Sequence, residues 1–258
     1  MTALSGAESG LLQSLARRRV RERKGLFLAE GVRVVEELLD AGIDLRLALL
    51  SSSLEDTERG AALAARLAGR TAVRHVADHE LARLAPTETP QGVLVAASLP
   101  AATLDELDVP ERALGLVLDG VQDPGNLGTL ARTAEAFGAA FLAALPGTGH
   151  RWNPNAGRGG AGALFRLPVV QREVDALLTW LREREMALWA ADSGGVPVRD
   201  LTRPARVALA VGNEGAGLGT ALRAASAVRV GVPIRAGTES LNVAVAAGIL
   251  LHELAVRG

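Results

Sequence analysis

Apolar positions along this chain fall into two alternating rhythms. Short runs, LFLAEG (Leu26–Gly31), LRLALLSS (Leu45–Ser52), TAVRHVA (Thr71–Ala77) and GVLVAAS (Gly92–Ser98), have the length and composition of strands. Between them, apolar residues recur every three or four positions, the spacing of a helix with one buried face. Leu11, Leu12 and Leu15 mark one such helix over residues 8–19, and Val34, Val35, Leu38 and Leu39 mark another that stops at Gly42. Leu63–Leu67 and Asp78–Leu84 mark two more, the last opening on Asp78 as its cap. Strands alternating with helices over residues 1–98 predict a small α/β domain. Residues 99–112 carry two prolines and several acids, which predicts a linker.

The rhythm restarts over residues 113–258. Strands are expected at Leu114–Gly120, Ala140–Leu145, Ala187–Asp192, Val207–Gly212 and Val228–Ile234, and helices over Leu127–Phe137, Val174–Arg184 and Leu218–Ala224. A crossover separates each strand from the next, so the sheet should be largely parallel with helices on both faces. Pro146–Gly162 reads as irregular. The closing stretch, Pro233–Leu254, joins a polar head to an almost purely apolar body. Ser240 is placed to cap this last helix, which should be buried nearly all round. Its apolar part falls short of the roughly 20 residues that cross a bilayer.

Composition narrows the chemistry. The chain has no cysteine, which removes disulfides, thiolate metal sites and thiol nucleophiles and suits a reducing cytoplasm. Lys24 is the sole lysine, so Schiff-base and P-loop chemistry have almost no candidate. The first residues lack the basic-then-apolar pattern of a signal peptide, and a cytoplasmic location is expected. His75 and His79 straddle a strand-to-helix turn without the carboxylate or thiol neighbours of a metal site, so no metal is expected. A net charge of −1 creates no global field for nucleic acid, and any basic footprint is local. Arg17, Arg18, Arg19, Arg21, Arg23 and Lys24 form such a cluster, read either as phosphate contacts or as a solvated helix end.

Ligands of open parallel sheets bind beyond the carboxyl ends of the strands. Three loops that leave such ends are unusual: DGVQDPGNLGTLARTAEAFG (Asp119–Gly138), VGNEGAGL (Val211–Leu218) and the polar head of Pro233–Leu254. Gly125, Gly128 and Ala131 also have the spacing of a degenerate dinucleotide fingerprint, which would imply a nicotinamide dehydrogenase. That reading requires an acid at the end of the next strand, where this chain has Ala143, Ala144, Leu145 and Pro146.

In this order, NLGTLARTAEAFG (Asn126–Gly138), VALAVGNEGAGL (Val207–Leu218) and VPIRAGTESLNVAVAAGILLHE (Val232–Glu253) resemble the SpoU, or TrmH-like, branch of the SPOUT family of RNA ribose 2'-O-methyltransferases. RRRVRERKGLFLAEGVRVVEELL resembles the substrate-binding domain that many members carry, an α/β domain similar to a ribosomal-protein fold. The resemblance implies a C-terminal parallel-sheet domain closed by a deep trefoil knot, an exception to the rule against knots. It implies a homodimer, with the last helix and the first motif at the interface. The implied donor is S-adenosyl-L-methionine, gripped by the second and third loops, with Leu209, Val211, Gly212, Gly217, Val232, Ile234, Ser240, Leu241 and Asn242 as its contacts.

Catalysis is assigned by the same resemblance to Arg132, assisted by Asn126, Glu214, Ser240 and Asn242. Because a guanidinium stays protonated at any ordinary pH, Arg132 is better suited to hold the target phosphate and stabilise charge developing on the ribose oxygen than to act as a literal base. Two positions depart from the family's pattern: Ala244, where serine is frequent, and Asn155, where a lysine is common, with Arg158 retained as an RNA contact. Ribosomal RNA is the expected substrate and transfer RNA the competing one. An RNA-binding protein that keeps the knot without catalysis is the alternative of a different class.

Overall fold

The computed structural model describes residues 4–100, 102–149, 162–235, 237–238 and 240–257. It divides into two compact units: Met1–Pro100 with Trp152–Phe165, and Ala101–Arg151 with Arg166–Gly258.

The first unit opens with α1 (Gly6–Ser14), capped by a reciprocal pair in which Ser5 accepts from the Glu8 N–H and Glu8 accepts from Ser5. The expected helix over residues 8–19 is two helices, because the chain turns extended at Arg17 before α2 (Arg18–Lys24). Then come β1 (Leu26–Glu30), α3 (Val32–Asp40), β2 (Leu45–Ser51), α4 (Glu58–Ala68), β3 (Val73–Val76), α5 (Asp78–Leu84) and β4 (Val93–Ser98). The sheet order is β1-β4-β2-β3, with β4 antiparallel to both neighbours and β2 parallel to β3. One face packs Leu28, Leu49 and Leu94 against Leu12 of α1, Leu15 at its C-cap, and Leu81 and Leu84 of α5. Asp78 belongs to the first turn of α5 and not to its cap, which is Ala77; its carboxylate instead accepts from Ser53 Oγ at 2.7 Å.

The second unit carries β5 (Ala113–Asp119), α6 (Pro124–Ala136), β6 (Phe141–Ala144), β7 (Val169–Gln171), α8 (Val174–Glu183), β8 (Ala187–Pro197), β9 (Arg206–Gly212), α9 (Thr220–Ala225), β10 (Val228–Gly231) and α10 (Val243–Val256), while the short α7 (Ala163–Arg166) falls where the chain passes from the first unit to the second. All its strand pairs are parallel, in the order β10-β8-β9-β5-β6-β7, as the crossover pattern predicts. Phe141, Val117, Ala208 and Ala210 pack on one face with Trp180 and Leu181 of α8 and Leu222 of α9. Strand alternation turns Leu116, Leu209 and Val211 to the opposite face, where α6 and α10 pack together through Thr133 on Gly248 and Phe137 edge-on to His252.

Two expectations change here. The predicted linker is anchored in this unit, because Leu104 and Leu107, three residues apart, are buried in its core. The prolines and acids that suggested a free linker occupy the exposed side of a packed segment. The last helix is not buried all round: Val245 is 53%, Ile249 40% and Val256 71% exposed, a stripe on the side away from Ala247, Leu250 and Leu254.

Candidate active site

In the six-stranded sheet, β5 connects onward to β6 on one side while β9 lies on its other side. The loops leaving β5 and β9 therefore diverge from adjacent carboxyl ends, where the register pairs Asp119 with Gly212. Such a reversal opens a crevice. Into it project the N-terminus of α6, the turn after β9 and the N-terminus of α10.

Each segment is held by its own short polar contacts. Asp123 caps α6 by accepting from the Asn126 N–H at 2.7 Å, with Pro124 at the first helical position, so the helix begins three residues before its apolar periodicity. After β9, Asn213 and Gly217 exchange backbone hydrogen bonds across a tight loop, and Asn213 Oδ1 accepts from the Gly215 and Ala216 N–H groups. Gly212 lies so close to this loop that a Cβ would meet the backbone of Gly217 and Leu218, and Gly217 has φ +69°. Asn213 Nδ2 donates to the Gly120 carbonyl at 2.8 Å, joining the two diverging loops. On α10 the cap is Asn242, which accepts from Ala244 and Val245 N–H groups. The helix starts at Val243, too far along for Ser240 to serve.

A directed chain of hydrogen bonds then links positions 88 and 116 residues apart. Asn126 Nδ2 donates to Glu214 Oε1 at 3.0 Å, and Asn242 Nδ2 donates to Asn126 Oδ1 at 3.0 Å. The direction follows from donor chemistry. A carboxylate only accepts, so Asn126 turns its amide nitrogen to Glu214 and its oxygen to Asn242, whose own oxygen is taken by the α10 cap. Burial alone would raise the Glu214 pKa; the Asn126 hydrogen bond and N–H groups of Glu214, Gln122 and Asp123 outweigh it and hold the carboxyl below its ordinary value.

Beside this chain lies a cavity of about 490 Å³, within the range of small-molecule sites (about 300–1,000 Å³). Among the residues named from sequence, Val211, Gly212, Gly217, Val232, Ile234, Ser240, Leu241, Asn242 and Glu214 line it together. Leu209 does not: it is fully buried in β9, one strand repeat below Val211, and supports the floor. Asn126 meets the cavity through Glu214 and Asn242. Lining residues that sequence reasoning missed include Ala191, Asp192 and Ser193 from β8, and Ala246 and Leu250 from α10. Asp192 ends a predicted parallel strand, so the carboxyl-end rule was the signal that could have found it.

Arg132 lies six residues along α6 from Asn126, exposed to solvent, and among the described residues nothing pairs with it. In the first unit, Arg17, Arg18, Arg19, Arg23 and Lys24 are exposed, Arg18 pairing with Glu22 at 2.8 Å. Arg21 is the exception and corrects its assignment as an RNA contact. It is 6% exposed, and its Nη1 donates to the carbonyls of Leu15 and Ala16, tying the break between α1 and α2. Asn155 and Arg158 lie outside the described residues. Among the described residues, no cluster of His, Asp and Glu is arranged to hold a metal ion, and no helix is long and apolar enough to cross a membrane.

A parallel sheet with a ligand cavity at its switch point, rimmed by amides and a carboxylate from three loops, defines a small-molecule-dependent α/β enzyme. Known proteins sharpen this. Residues 113–252 match the SpoU rRNA Methylase family, and residues 11–95 match an MRM3-like substrate binding domain. The chain is 31% identical over 244 residues to the Bacillus subtilis 23S rRNA (guanosine(2553)-2'-O)-methyltransferase RlmP, covering 94% of this chain and 93% of that one. It is also 31% identical to a Streptomyces viridochromogenes 23S rRNA (uridine(2479)-2'-O)-methyltransferase, over 93% of this chain and 85% of that one. The crystal structure of the SpoU methyltransferase AviRb from Streptomyces viridochromogenes, in complex with AdoMet, superimposes with a TM-score of 0.89 at 30% identity, covering 98% of each chain. An AdoMet-bound rRNA methyltransferase from Sinorhizobium meliloti gives 0.87 at 26% identity, covering 98% of this chain and 96% of that one. The chain belongs to the SpoU rRNA methylase family.

Proposed function

We infer that this protein transfers a methyl group from S-adenosyl-L-methionine to a ribose 2'-hydroxyl of structured RNA, with 23S ribosomal RNA as the substrate class and the cytoplasm as its place of work. The observation that carries this reading is the Glu214–Asn126–Asn242 chain at the rim of the 490 Å³ cavity. The residues present fit the donor: Val211, Val232, Ile234, Leu241 and Leu250 offer apolar surface for a purine, loop backbone offers its polar edges partners, and the carboxylates suit a cation. When bound, the donor supplies a methyl already activated on a sulfonium.

What remains for the chain is alignment and charge. Asn126 and Asn242, locked by Glu214 and the α10 cap, hold the rim in one geometry. Ser240 is exposed at the same rim, within reach of the incoming substrate. Arg132, without a protein partner among the described residues, takes the target phosphate and offsets charge growing on the ribose oxygen. The exposed cations of α2 add phosphate contacts that position the RNA.

The assembly is a homodimer whose interface buries the Val245, Ile249 and Val256 stripe. Arg132 neighbours Thr133, which packs on Gly248 beside Ile249, so association draws Arg132 into the completed site. In this reading the closing segment threads through the loop after β9 and makes a trefoil knot. Tritium transfer from labelled donor to 23S RNA and to transfer RNA transcripts tests the function. Label in 23S RNA, resistant to alkaline cleavage at one nucleotide, is the expected result. Label only in transfer RNA would redirect the substrate, and donor binding without transfer to either would reject catalysis. Val245→Glu with Ile249→Glu should convert the dimer to monomer by sedimentation.

A further inference from the structure

One segment of the cavity wall is unaccounted for by the three loops. Between β8 and β10 the register jumps: Arg229 pairs with Ala190, but Val230 pairs with Val196. Residues Ala191 to Gly195 therefore bulge within β8 as an arch, of which Ala191, Asp192 and Ser193 line the cavity. The arch is seated by two glycines. A Cβ on Gly231 would lie 2.8 Å from the Asp192 carbonyl, and one on Gly195 would press on the Arg229 and Val230 backbone. Asp192 is thereby fixed at the cavity, its Oδ1 accepting from the Gly194 N–H at 2.9 Å.

Among the described lining residues the only charged side chains are Asp192 and Glu214, and neither is neutralised from inside. The Glu214 carboxylate is held by a neutral amide, Asn126. Arg229 Nη1 stands 3.6 Å from Asp192 Oδ2, yet its side chain is 64% exposed against 22% for Asp192. That cation is solvated and screened while the anion faces the cavity, and the Arg223 guanidinium stands behind Gly217 on the opposite wall, so the negative field is local to the side that Asp192 and Glu214 supply.

We propose that Asp192, acting with Glu214, makes this cavity a charge filter that favours the cationic sulfonium donor over the neutral thioether left after transfer. The proposal rests on the donor reading above. As the ribose oxygen bonds to the methyl carbon, the carbon–sulfur bond breaks and its electron pair stays on sulfur, while the hydroxyl proton leaves to solvent. The nucleoside in the cavity thus loses one positive charge, and with it the attraction of both carboxylates. Spent product is released while fresh donor is retained.

Calorimetric titration with S-adenosylmethionine and S-adenosylhomocysteine tests this on the full-length protein. Asp192→Asn keeps the acceptor for the Gly194 N–H and removes the charge. It should weaken the sulfonium compound about 5–10-fold, the scale of one charge pair at partly solvated range, and leave the thioether within about twofold. Arg229→Ala should move the ratio the other way, and added salt should shrink it in the wild type. Equal weakening of both compounds by Asp192→Asn, or an unchanged ratio in both variants, would overturn the filter. A wild-type protein that binds neither compound would instead overturn the donor reading on which the filter depends.

Discussion

At the carboxyl edge of the six-stranded sheet, side chains from positions 126, 214 and 242 hold one another in a single hydrogen-bond direction. On α2 and its N-cap, the five cations Arg17, Arg18, Arg19, Arg23 and Lys24 are exposed within eight residues, and Arg18 pairs with Glu22 one turn away. The first region is made of groups far apart in the chain, each useless without its partners. The second is made of neighbours that act independently. A locked network sets geometry, and its members are strongly coupled. A solvated cluster sets affinity, its contributions add, and salt weakens them.

The largest expected effect comes from Arg132→Ala, which should lower methyl transfer at least ~10³-fold while donor affinity stays within about threefold, read by single-turnover transfer and calorimetry. Full residual activity would remove Arg132 from the mechanism. Asn242→Ala breaks both the link to Asn126 and the cap of α10, and should cost about 10²-fold in transfer and ~1 kcal/mol in stability. Combined with Asn126→Ala, the loss in transfer should be far less than the product of the single losses; strict additivity would mean the chain of bonds is not a unit.

Smaller effects are expected from the other region. Replacing Arg17, Arg19 and Arg23 with alanine together should weaken RNA about tenfold at low salt and flatten the salt dependence of binding, with donor affinity unchanged, by filter binding across a salt series. Arg21→Ala should leave RNA affinity nearly intact. Loss of its bonds to Leu15 and Ala16 should instead lower stability by about 1–3 kcal/mol in thermal melts. An RNA defect as large as the triple variant's would erase the distinction between Arg21 and its neighbours.

Much of this was legible from local pattern. The strand and helix rhythm predicted the parallel sheet, and two of the three unusual loops, Val211–Leu218 and the head of the closing stretch, supply most of the cavity wall. What was not legible depended on how segments meet. Arg21 reads like any other member of a basic run, and only the break between α1 and α2 creates the carbonyls that draw it inward. Ser240 and Asn242 are both good caps by type, and the winner depends on where α10 can begin while Asn242 also reaches Asn126. Leu104 and Leu107 look like linker residues until the core beneath them is assembled.

By itself the chain's order of residues determined which segments become strands and helices, because periodicity and backbone preference act within a few residues. It also determined where glycine permits a tight loop, as at Gly212 and Gly217. Tertiary structure alone decided which side chains share a site. The direction of the Glu214–Asn126–Asn242 chain requires all three in one crevice, and the arch that carries Asp192 exists because Gly195 and Gly231 let β8 and β10 close on each other. Hydrogen bonding and close packing between distant segments depend on distances of a few ångströms that no local pattern encodes.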